Sequence, residues 1–62
     1  MKTYNDYLNE VKMLVGAGHN CSDVLKTFHT LYLLNDADEN VEDELGSLII
    51  DIENGKHEAL FR

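Results

Sequence analysis

Ser47-Leu48-Ile49-Ile50-Asp51-Ile52-Glu53-Asn54-Gly55-Lys56-His57-Glu58-Ala59-Leu60-Phe61 is the stretch on which the fold turns. With a period of 3.6, Val41, Leu45, Leu48, Ile49 and Ile52 form the apolar face of a helix. Gly55 then closes that helix, and Ala59, Leu60 and Phe61 of the tail fold back over the core. With a period of 2, Leu48, Ile50 and Ile52 share a face with His57, Ala59 and Phe61 across Asn54-Gly55, the strongest two-residue hairpin signal. That pairing sets Glu53 opposite Lys56 but also Asp51 opposite Glu58, and a lone two-stranded hairpin is marginal unless helices cover it. The helical reading is preferred. The expected fold is all-α, a small antiparallel three-helix unit with a short docked C-terminal tail; the alternative is α+β with a hairpin turning at Asn54-Gly55.

Upstream, the same period continues. Thr3 followed by Asp6 is a capping-box-like start, and Tyr4, Tyr7, Leu8, Val11, Leu14 and Val15 then line one side of a helix that Gly16-Ala17-Gly18 ends. Asn20 or Ser22 can open a second helix, with Asp23 well placed against its dipole and Val24, Leu25, Phe28, Leu31 and Tyr32 as its apolar face. Asn35-Asp36-Ala37-Asp38-Glu39-Asn40 is too polar for a core and reads as the connection, with Asp38 or Asn40 as the next cap. No internal repeat or low-complexity segment interrupts the pattern.

The chain has 62 residues, 44% hydrophobic and 27% charged, with no Pro and a net charge of −7. This is the composition of one small acidic folding domain over residues 1–62 and excludes a multidomain enzyme. A chain of about 60 residues buries only about 60% of the surface its unfolded form exposes, so a partner or self-association would add needed stability. Met1 to Asp6 contain no apolar signal core and no apolar run approaches a membrane span, which predicts a cytoplasmic protein. The single Cys21 cannot form an internal disulfide, and a buried free thiol is the expected reading.

Charge is divided unevenly. Residues 1–35 carry Asp6, Glu10 and Asp23 against Lys2, Lys12 and Lys26, whereas residues 36–62 carry Asp36, Asp38, Glu39, Glu42, Asp43, Glu44, Asp51, Glu53 and Glu58 against Lys56 and Arg62 and so hold the entire −7. An acidic balance argues against direct nucleic-acid or anionic-membrane binding, because both need cations facing phosphate.

No motif for chemistry survives inspection. Asp36, Asp38 and Asn40 fit the first, third and fifth positions of an EF-hand loop, but Val41 stands where its turn needs Gly and Ser47 where its bidentate Glu belongs. His19, Cys21, Asp23 and His29 match no usual zinc spacing. Cys21 and His29 lie too far apart on one helix to form a nucleophile pair. No metal, no cofactor and no enzymatic activity are therefore expected.

Recognition remains. On a uniform helical wheel Ile50 falls among Glu39, Glu42, Asp43 and Glu53, with Gly46 one turn before it on the same stripe, open to close approach. An apolar anchor ringed by carboxylates suits a basic protein partner. The expected function is a non-enzymatic protein-binding module, an inhibitor or regulator engaging a larger basic protein through its acidic C-terminal half. Nucleic-acid mimicry is its sharper variant, and size and charge suit a phage or mobile-element product. The rival is a structural homo-oligomer or assembly subunit. Met13 and Leu33, each turned away from the apolar face of its helix, are the candidate homodimer contacts.

Overall fold

The computed structural model describes residues 2–35 and 37–61. Three helices carry the fold: α1 spans Tyr4–Gly16, α2 spans Cys21–Leu34 and α3 spans Gly46–Glu53, the last preceded by a π-helical turn over Val41–Leu45. There is no strand among the described residues.

Local chemistry sets the helix ends. Thr3 Oγ1 accepts the Asp6 amide at 3.3 Å while the Asp6 carboxylate accepts the Thr3 amide at 2.9 Å, a complete capping box. Asn20, rather than Ser22, caps α2 by accepting the Asp23 amide at 2.9 Å. Asp38, rather than Asn40, opens the third helical segment, its Oδ1 accepting the amides of Asn40 at 2.9 Å and Val41 at 3.4 Å.

Gly18 (φ +99°) and Gly55 (φ +83°) terminate α1 and α3 in left-handed conformations. At each end two reversed amides close the helix: Gly18 to Val15 O and His19 to Leu14 O, both at 3.0 Å, then Gly55 to Ile52 O at 3.1 Å and Lys56 to Asp51 O at 2.9 Å. Asn54-Gly55 is thus a helix stop and not a hairpin. Both motifs want glycine at positive φ, so the dipeptide alone does not discriminate. Burial does: Leu48, Ile49 and Ile52 are inside at helical spacing, whereas Ile50 is 58% exposed.

The core takes Tyr7 and Val11 from α1, Val24 and Phe28 from α2, Val41 and Leu45 from the π turn, and Leu48, Ile49 and Ile52 from α3. Tyr7 meets Phe28 edge-on, with ring centroids 6.3 Å apart, a favourable arrangement of ring quadrupoles. Contacts of His29 with Glu53 and of Tyr32 with Gly46 show that α3 runs antiparallel to α2. A 3₁₀ turn over Glu58–Phe61 follows, with Leu60 and Phe61 half-buried against the core while Ala59 stays exposed. The tail therefore docks through two of the three residues expected to do so. No helix among the described residues is long and apolar enough to cross a membrane.

Candidate functional site

Between α2 and α3 lies a shallow groove of about 190 Å³ lined by His29, Tyr32, Gly46, Ile49, Ile50 and Glu53. Three of the residues singled out by sequence, Gly46, Ile50 and Glu53, meet here. Ile50 stands at the mouth, and across it His29 Nε2 lies 3.6 Å from Glu53 Oε1. Gly46 is not left open to a partner, because a Cβ there would come within 3.1 Å of Tyr32 Cε2. The close approach that a glycine permits is taken by the chain's own tyrosine ring.

Glu39, Glu42 and Asp43 are exposed but do not line this groove. A uniform wheel places them around Ile50, and the π turn changes the winding between them and Ile50. The Gly46 amide reaches back to the carbonyl of Val41, so one additional residue is taken into the turn and the acids ahead of it shift around the axis relative to Ile50. Glu42 is also eight residues before Ile50, about 12 Å along a helix. Of the four acids read around Ile50, Glu53 is the one that lines the groove.

A second groove, about 240 Å³, lies between α1 and α2 and is lined by Glu10, Met13, Leu14, Thr27, Phe28 and Leu31. Lys2 Nζ closes on Glu10 Oε1 at 2.8 Å, while Glu10 Oε2, a buried oxygen, finds no donor. Met13 is 73% exposed at this groove; Leu33 is 70% exposed and Leu34 is 77% exposed. Leu33 continues the α2 stripe of His29, four residues before it, toward the other groove, so Met13 and Leu33 do not share a face. Leu34 instead continues the stripe of Thr27 and Leu31. Sequence reading passed over it, although its position seven residues after Thr27 was the available signal.

The densest polar cluster was not foreseen either. Three parts of the second half converge on Tyr4: the Glu44 carboxylate accepts its amide at 2.9 Å, its hydroxyl donates to Asp51, and His57 Nε2 lies 2.7 Å from the same hydroxyl. With the phenol proton committed to Asp51, His57 is the donor to the phenol oxygen. Lys56 Nζ also approaches Asp51 at 3.4 Å. Burial, then the Asp51 hydrogen bond, pushes the Tyr4 phenol up to about 12. The bond from Tyr4, with Lys56 beside it, holds the Asp51 carboxyl below its usual range. The periodicity of Tyr4 placed it on an apolar face, and nothing in sequence spacing pairs it with residues 40 to 53 positions away.

The cluster ties the start of α1 to three places in the second half of the chain and so acts as an inter-element clamp. Cys21 is a free thiol, half-buried at the first turn of α2. Asp36, the first position of the partial EF-hand pattern, lies outside the described residues. Among the described residues no three His, Cys, Asp or Glu side chains gather as a metal-binding group. Compared with protein-family models, curated proteins and solved structures, the chain matches none.

Proposed function

We propose that the protein is a non-enzymatic binding module, an inhibitor or regulator that engages a larger basic protein through its acidic second half, with Ile50 as the apolar anchor. The observation that carries this reading is the 58% exposure of Ile50 at the mouth of the α2–α3 groove in the half of the chain that holds the whole −7. A desolvated apolar anchor slows release, and the surrounding negative field speeds encounter with a cationic surface. Carboxylates spaced along a rod-like helical surface also fit the place of phosphates, so a nucleic-acid-handling protein is the sharper target class.

The test is affinity capture from lysate with the wild-type chain, a charge reversal at Glu39, Glu42 and Asp43, and Ile50→Asp, each checked for helicity. The expected result is one basic partner retained by the wild type and lost by both variants, with an association rate that falls steeply as salt rises. If the partner is a nucleic-acid enzyme, DNA competes for it. Capture that is indifferent to both variants overturns the reading.

A further inference from the structure

We infer that the α1–α2 face is a self-association surface, with a second copy of this chain seated on the groove that Met13 borders. This inference stands independently of partner binding at Ile50. The groove walls are Leu14, Phe28 and Leu31, Met13 lines it at 73% exposure, and Leu34, on the α2 stripe of Thr27 and Leu31 beyond the groove, is 77% exposed. Thr27, Leu31 and Leu34 form one stripe of α2, and Glu10, Met13 and Leu14 form the facing stripe of α1. A two-fold axis through this face packs both helix pairs into a four-helix layer in which Met13 and Leu34 are covered.

Charge selects the occupant. Residues 1–35 carry three acidic and three basic side chains and sum to zero, with Lys2, ahead of α1, closing on Glu10 of α1 at 2.8 Å. The carboxylate lining the groove, Glu10, already holds Lys2 through one oxygen, and this is the face on which two copies meet without opposing their acidic halves. Packing through residues 36–62 would instead bring −7 against −7. In the α1–α2 arrangement the acidic segments sit on the outer sides, separated by two helical layers of about 8–10 Å each, which is about two Debye lengths at physiological salt.

A specific interface buries about 1,200 Å² or more in total, so a dimer on this face draws on the length of both helices beyond the groove itself. A core of nine buried residues also gains from covering more apolar surface, the usual recourse of small domains.

Sedimentation equilibrium of the full chain tests this, comparing the wild type with Met13→Glu, Leu34→Glu and Ile50→Asp, each with its helicity measured by circular dichroism. The expected result is a wild-type dimer whose dissociation constant rises at least about tenfold in both glutamate variants. Ile50→Asp should leave it unchanged, and added salt should leave it equal or slightly tighter. Should a glutamate variant lose helicity, Thr27→Arg replaces it, since Thr27 is exposed on the same groove. A wild type that stays monomeric to millimolar concentration overturns the inference, as does a dimer that Ile50→Asp abolishes and the α1–α2 variants spare.

Discussion

Residues 2–35 and residues 37–61 are held in place by different means. In the first region each helix end is satisfied by its own neighbours: the Thr3–Asp6 box, Asn20 on Asp23 and the Gly18 stop. In the second, Glu44, Asp51 and His57 all reach back to Tyr4, across 40, 47 and 53 residues. Local capping makes a helix begin and end where it should, but it does not say where the helix lies. Besides the core packing of Leu45, Leu48, Ile49 and Ile52, the second region is tied to α1 through one tyrosine, so the two regions should differ in how they fail.

The largest expected effect erases the difference altogether. Leu48 is fully buried where α3 meets the other helices, and Leu48→Ala should cost about 2–5 kcal/mol, a large part of the stability of so small a domain. Chemical denaturation should show a single transition moved far to lower denaturant. Retention of α1 and α2 by hydrogen exchange in this variant would mean that the regions fold separately.

Tyr4→Phe should sharpen the difference. Removing the hydroxyl leaves Asp51 and His57 without their shared partner, so the denaturation midpoint should fall by less than in Leu48→Ala, with faster amide exchange concentrated in residues 51–61 and α2 little changed. Uniform acceleration across the chain would contradict a clamp confined to the second region.

The pH dependence gives a third test. The Asp51 carboxyl is depressed in the folded state, so its contribution is present above the unfolded value near 4 and is lost as pH falls through the lower folded value. The Tyr4 phenol is raised from 10.0 to about 12, so its contribution is present below pH 10 and is lost as pH rises toward 12. Because one hydrogen bond contributes to both shifts, the difference in stability between wild type and Tyr4→Phe should shrink at both pH extremes. A difference that is flat with pH would separate the two titrations from that bond. The smallest expected effect is at Ile50: Ile50→Asp should change stability by no more than about 0.5 kcal/mol, while a larger loss would make Ile50 part of the core.

The contrast also explains what the sequence made legible. The three helices, the Thr3 box, the Gly55 stop and the exposure of Ile50, Met13 and Leu33 follow from period and capping chemistry, which act over a few residues. The π turn is invisible to a wheel that assumes constant winding, and a wheel cannot tell that Glu39, Glu42 and Asp43 lie outside the groove that Ile50 and Glu53 line. Gly46 was read as open space because a sequence shows the missing side chain but not the Tyr32 ring that fills the gap. The Tyr4 clamp was hidden for a related reason: long-range polar pairs leave no periodic trace, and Tyr4 satisfies the apolar pattern as well as any leucine would.

The clamp has a consequence for the order in which the molecule is made. Tyr4 leaves the ribosome well before its partners, and Asp51 and His57 follow only 47 and 53 residues later. Until they emerge, α1 can form its capping box and pack on α2, but its first amide and its phenol have only water to bind. The domain therefore completes its fold after synthesis has passed residue 57, in one late step that joins the earliest part of the chain to the latest.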